Sequence, residues 1–192
     1  MLSSIRRSFA VIVVTAAVAS GQTQSGQAAP PSAPPLPPAP AVGELAPDFT
    51  APAADMNGVL GQNVTLSKLK GKVVVLAFYP LDRSSGCTAE LSKFRDEYGT
   101  LFGEGVVVLP VSVDTIEAHT SWAKDMHFPF ALVADPKAEI AVKYGSQGTG
   151  KTFRRTVFVI GKDGKVAYQA RPFSALAQDG YNKLAAAVKA AK

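Results

Sequence analysis

The stretch "KVVVLAFYPLDRSSGC", Lys72–Cys87, decides how the chain folds. Its first half is an unbroken apolar run rich in Val, without the polar alternation of a strand that faces water on one side. Such a run reads as a strand covered on both faces, and therefore as a central one. Pro80 cannot continue a ladder, and "LDRSSG" supplies a turn. Beyond Cys87 the apolar residues Leu91, Phe94, Tyr98, Leu101 and Phe102 recur at helical spacing until Gly103 and Gly105 end the pattern. Cys87 thus stands at the mouth of a helix, just past the C-terminal end of a buried strand, where open α/β sheets build their sites.

Outward from this unit the same logic repeats. "NVTLSKL" upstream reads as a short strand, and "GVVVLPVSVD" downstream as a second buried one. In "DTIE", Asp114 is placed to cap a helix running to about Lys124, with Glu117 three residues on. "DPKAEIAVKYG" offers Asp135 as a cap, Pro136 at the first helical position and Gly145 as the terminator. "TVFVIGKDGKVAYQ" is a strand, a Lys-Asp-Gly turn and a second strand, hence a hairpin. "ALAQDGYNKLAAAVKAAK" closes the chain as an alanine-rich helix with a break expected at Gly180. Strands alternating with helices, then a hairpin and a last helix, predict an α/β protein of thioredoxin-like fold: a mixed central β-sheet flanked by helices.

The N-terminus has a different character. "MLSSIRRSFAVIVVTAAVASGQ" sets a basic pair before an apolar stretch from Phe9 to Ala19 and ends in small residues, with Ala17 and Ala19 in an A-x-A arrangement. That order predicts a secretory signal peptide over residues 1–21 and an exported protein, periplasmic or secreted. The apolar run is shorter than the roughly 18 residues of a spanning helix, and an uncleaved leader would make it an N-terminal membrane anchor instead. "RRSF" is similar to a twin-arginine signal, although Ile5 stands where Ser or Thr is usual. Residues 22–41 are rich in Gln, Ser, Ala and Pro, which predicts an extended, solvated linker that does not pack. The folded domain is then expected over residues 42–192, a normal single-domain size.

Composition narrows the function. The chain of 192 residues is 47% hydrophobic and 18% charged, with a formal net charge of +5. Arg6 and Arg7 belong to the leader, and the remaining basic residues are interspersed with acids rather than gathered on one stripe, which argues against nucleic acid as a partner. His119 and His127 are the only histidines and Cys87 the only cysteine. No zinc or copper ligand spacing exists, so neither a metal nor another cofactor is expected. His119 is expected to face solvent or a neighbouring helix, and Trp122 to lie in the core.

Two readings of Cys87 follow from position alone. In the first turn of a helix, unpaired N–H groups and the positive end of the dipole face its sulfur, and both favour the thiolate, the nucleophilic form. Equally, Cys87 shares an apolar helix face with Leu91, Phe94 and Tyr98, where a cysteine serves as a small buried hydrophobe. In an exported chain a single cysteine suits a reactive role better than a cross-linking one, since a disulfide scaffold needs an even count.

"PLDRSSGC" places Pro80, Ser84 and Cys87 in the pattern P-x-x-x-[T/S]-x-x-C, and here the sequence resembles the peroxiredoxins. "VGELAPDF", "LKGKVVVLAFYP", "VSVDTIEAHTSWAKDMHFPFALVADPKAEIAVKYG" and "RRTVFVIGKDGKV" follow in the family's order, with spacing most similar to the bacterioferritin comigratory protein or Q-type branch. The resemblance implies a thiol-dependent peroxidase in which Cys87 attacks a peroxide and becomes sulfenic acid. It implies further that Arg155 donates hydrogen bonds to sulfur and peroxide oxygen, with Arg154 on the opposite face of the strand. Ser84 would orient the peroxide, Pro80 shield the sulfur, and Glu90 hold the arginine, although an exposed carboxylate near a helix N-terminus needs no special role. Two departures stand out: Ser85 replaces a proline usual in the branch, and Ser92 occupies a position often held by a second cysteine. The implied cycle is therefore of the one-cysteine kind, with an external thiol reductant that is thioredoxin-like, glutaredoxin-like or of low molecular weight, or with a disulfide between two copies. A monomer or a homodimer would serve. The competing reading is a catalytically silent thioredoxin-like binding or redox-sensing module.

Overall fold

The computed structural model describes residues 37–192. The expected signal peptide and most of the expected linker lie outside the described residues.

Among the described residues, nine strands and five α-helices follow one another. An N-terminal group comprises β1 (Thr50–Ala51), β2 (Ala53–Asp55), β3 (Gly58–Val59) and β4 (Val64–Thr65), and a turn of 3₁₀ helix follows at Leu66–Leu69. Then come β5 (Val73–Phe78), α1 (Ser85–Asp96), α2 (Tyr98–Leu101), β6 (Val106–Ser112), α3 (Ile116–Met126), β7 (Leu132–Ala134) and α4 (Glu139–Lys143). The hairpin of β8 (Thr156–Ile160) and β9 (Val166–Ala170) leads into α5 (Gln178–Ala191). The main sheet has the order β3-β2-β7-β6-β5-β8-β9, and β1 pairs with β4 in a separate ribbon. Strands β5, β6 and β7 are parallel, while β8 and β2 run antiparallel to the strands they join. The sheet is mixed, as the element order predicts, and the architecture is thioredoxin-like.

β5 is central because both of its faces are apolar. Val73, Val75, Ala77 and Tyr79 pack with α1, α3 and α5 through Leu91, Phe94, Trp122 and Leu184. Val74, Leu76 and Phe78 point the other way, to Leu109, Tyr144, Phe153 and Phe158. The alternation divides one strand between two cores. Trp122 is buried, as expected.

Several local expectations are corrected. "NVTLSKL" gives only a two-residue strand before the 3₁₀ turn. The helix after Cys87 is interrupted at Glu97, and its tail forms the separate α2. The cap of α3 is Thr115, whose side chain accepts from the Ala118 N–H; Asp114 is engaged elsewhere. Pro136 lies outside α4, yet Asp135 still satisfies that helix by accepting from the N–H groups of Ile140 and Ala141. Gly180 does not break α5: a Cβ there would meet Ser174 O at 2.8 Å, so the glycine admits the close approach of the preceding loop. The end of the expected linker packs after all. Pro40 is buried, and Arg171 Nη2 donates to the carbonyls of Pro37 at 2.6 Å and Gly145 at 3.0 Å.

Candidate active site

Cys87 is the third residue of α1, after Ser85 and Gly86, and Ser84 precedes the helix in an extended conformation. The N–H groups of a first helical turn have no acceptor within the helix, so they remain available to the sulfur side. The cysteine is free and 0% exposed, with β5 beneath it through Tyr79 and Ala77.

The guanidinium that faces the sulfur belongs to Arg155, which immediately precedes β8. Its Nη2 lies 3.3 Å from Cys87 Sγ, and its Nη1 donates to Glu90 Oε2. Its backbone is fixed from the far side, because Phe173 N–H donates to Arg155 O at 2.8 Å. Arg154 points away and its Nε donates to Gln147 O at 3.1 Å. Glu90 is not the exposed helix carboxylate that the sequence left open. It is 0% exposed, and its second oxygen, Oε1, has no hydrogen-bond partner. A buried carboxylate aimed at the arginine fixes the fork of the guanidinium in one plane. Gly86 completes this corner, since a Cβ at residue 86 would sit 3.2 Å from Arg155 Nη2.

Ser84 Oγ donates to Leu81 O at 3.2 Å, a turn-forming bond that leaves its oxygen lone pairs free. Pro80 is half-buried at the end of β5, where it closes the strand. The structure therefore brings Cys87, Arg155 and Glu90 into one connected group, with Ser84 and Pro80 on the segment that delivers the cysteine.

Sequence reasoning missed a second polar group behind that segment. His119 does not face solvent: it is 0% exposed, its Nδ1 lies 2.8 Å from Asp82 Oδ2, and its Nε2 lies 3.2 Å from Val133 O. Tyr79 Oη donates to Asp82 Oδ1 at 2.7 Å. Burial pushes the Tyr79 phenol well above its ordinary range, and the Asp82 carboxylate beside it acts in the same direction. The Asp82 N–H donates to Asp114 Oδ2 at 2.8 Å, which also accepts from Ser112 Oγ at 2.7 Å. Asp82 and His119 are 37 residues apart, and no local pattern joins them. Among the described residues, no cluster of His, Cys, Asp and Glu is gathered as a metal ion requires.

The reactive group this arrangement offers is a sulfur nucleophile beside a held cation, so fold and site together define a thiol-dependent oxidoreductase. The AhpC/TSA family profile matches residues 42–169, and the chain belongs to that family. A relative named putative peroxiredoxin bcp, from Coxiella burnetii, is 38% identical over 133 residues, covering 66% of this chain and 85% of the relative. Peroxiredoxin Bcp from Bacillus subtilis is 32% identical over 137 residues, covering 68% and 84% of the two chains. Among solved structures, the crystal structure of peroxidoxin BcpB from Mycobacterium tuberculosis superposes with a TM-score of 0.67 at 28% identity, covering 80% of this chain and 99% of that one. The chain is a peroxiredoxin similar to the Bcp and Q-type members, a thiol-dependent peroxidase with one cysteine.

Proposed function

We propose that this chain is an exported peroxidase that reduces hydrogen peroxide or organic hydroperoxides through Cys87 alone and is recycled by an external thiol. The observation that carries this reading is the 3.3 Å contact between Arg155 Nη2 and Cys87 Sγ in the first turn of α1. The sulfur attacks one oxygen of the peroxide. An S–O bond forms as the O–O bond breaks, and the other oxygen departs with a proton as water or an alcohol, leaving Cys87 as sulfenic acid. Arg155 balances the negative charge that moves from sulfur onto the departing oxygen, an effect of a few kcal/mol in preorganised sites. Ser84 Oγ keeps lone pairs free to accept from the peroxide O–H.

Recycling needs two equivalents of thiol. The first displaces water from the sulfenic acid and forms a mixed disulfide, and the second attacks that disulfide and releases the Cys87 thiol. No second cysteine exists in the chain to do this internally. Because Cys87 is 0% exposed, a protein thiol reaches it only after the first turn of α1 moves. A disulfide between two copies is the other route, and it requires the same opening. The basic pair, apolar core and A-x-A ending of the leader support export.

Turnover tests the reading. With excess dithiothreitol, the reduced protein should consume many equivalents of peroxide, and Cys87→Ser should consume none. A wild-type protein that leaves peroxide untouched refutes it. Export is checked by fractionating cells that express the full chain; recovery of a shortened protein outside the cytoplasm is the expected result, and an unprocessed cytoplasmic protein contradicts it.

A further inference from the structure

The segment Pro80–Ser84 delivers Cys87 to Arg155, yet it forms no regular structure of its own and Arg83 within it adopts a left-handed backbone at φ 60°. Its position is set by ties to α3 and to the end of β6. Some of these ties are exposed: Arg83 Nη2 reaches Asp125 Oδ2 at 2.5 Å and Ser121 Oγ at 3.0 Å, with both ion-pair partners about half exposed. Pairs of that kind contribute little. The buried tie is of another order. The Asp82 side chain is 6% exposed and His119 is 0% exposed. Asp82 uses both carboxylate oxygens and its N–H, to Tyr79, His119 and Asp114.

Resting on the peroxidase reading above, we infer that the buried Asp82–His119 pair is a positioning element of the active site. It clamps the Pro80–Ser84 segment onto α3 so that the Cys87 sulfur stays within reach of Arg155. The chemistry of the contacts supports a specific geometry. The Val133 carbonyl can only accept, so His119 Nε2 carries a hydrogen. The 2.8 Å contact on the other side then requires a further proton held between Nδ1 and Asp82 Oδ2. A fully connected network of this kind fixes one arrangement of the chain, whereas an apolar contact would tolerate sliding. Displacing a reacting group by about 1 Å costs on the order of a hundred-fold in rate.

The experiment measures the second-order rate constant for loss of the Cys87 thiol with hydrogen peroxide, in the reduced full-length protein. Folding is monitored in parallel by the fluorescence of Trp122, the sole tryptophan, whose ring centroid lies 5.9 Å from that of Tyr79. Asp82→Ala and His119→Leu, still folded, should react about ten-fold or more slowly. Asp82→Asn accepts from Tyr79 and donates to an unprotonated Nδ1, so it should restore the rate to within about three-fold of wild type. Asp125→Ala, which removes only the exposed ion pair of Arg83, should react as wild type. Tyr79→Phe deletes one hydroxyl and keeps the test decisive if the harsher variants do not fold; it should slow the reaction about three-fold. Folded Asp82→Ala and His119→Leu that react at the wild-type rate overturn the clamp, as does Asp82→Asn impaired as deeply as Asp82→Ala. Wild-type Tyr79→Phe kinetics overturn it too. A wild-type chain inert toward peroxide is a different failure, because it removes the peroxidase reading and the clamp with it before any variant is compared.

Discussion

Arg155 and Glu90 form a pair with unequal surroundings: the arginine side chain is 19% exposed and the glutamate 0%. Removing the arginine alone therefore leaves a buried carboxylate without its partner, a loss of about 3–5 kcal/mol. Arg155→Ala should slow oxidation of Cys87 by about a hundred-fold or more and lower the melting midpoint as well. The two effects separate in Arg155→Ala/Glu90→Gln, which should recover stability without recovering rate; joint recovery in stopped-flow and thermal unfolding experiments would mean that Arg155 acts only through the fold. Arg154→Ala should leave the rate near wild type, since its guanidinium bonds a carbonyl on the other side. Gly86→Ala gives a prediction of opposite signs. Alanine in a helix is favoured over glycine by about 0.5–1 kcal/mol, but its Cβ would press on the guanidinium from 3.2 Å. The variant should melt no lower than wild type and yet react several-fold more slowly, and an unchanged rate would show that the arginine can yield there at no cost.

At the scale of elements, α3 links the fold to the site. Its N-cap is Thr115, so Thr115→Ala should destabilise the protein by about 1 kcal/mol in chemical denaturation while the oxidation rate of the folded protein stays unchanged. Asp114, the residue the sequence nominates as cap, is instead committed to Ser112 and to the Asp82 N–H. This exchange shows what a sequence can and cannot express. A capping pattern is local, and both Asp114 and Thr115 satisfy it; only the long-range bond to Asp82 decides between them. The buried strands β5, β6 and β8, five to seven residues long, are legible because the continuous apolar runs that fill them have few other uses. Strands β1 to β4, two or three residues each, are too short to show a period. Cys87 and its helix are legible from position, and the choice of Arg155 over Arg154 follows from the resemblance together with strand alternation. His119 was illegible, because a histidine is tolerated on a surface and its burial depends on an aspartate in another loop.

For the whole molecule, three buried tyrosines set an alkaline limit. Tyr181 donates to Ala175 O at 2.6 Å, and burial pushes its phenol from its ordinary value of 10.0 up to about 12. Burial moves Tyr79 and Tyr144 upward as well. The folded state therefore keeps protons that the unfolded state loses once the pH passes 10.0, the ordinary tyrosine value. The unfolded state binds fewer protons there, so stability present below pH 10.0 is lost as the pH rises toward the folded values. Unfolding and the appearance of tyrosinate absorbance should coincide in an alkaline titration. Tyrosinate signals from all three residues in a protein that keeps its native circular dichroism would contradict the burial described here.

The central claim is that one sulfur, held in the first turn of α1 against Arg155, is the group that takes oxygen from a peroxide. Mass spectrometry of the intact reduced protein, mixed with one equivalent of hydrogen peroxide and quenched with a sulfenic-acid trap, tests it most directly. The account predicts a single trapped adduct that maps to the peptide carrying Cys87 and is absent from Cys87→Ser. A Cys87 thiol that stays unmodified, or oxygen found only on methionine, would contradict it.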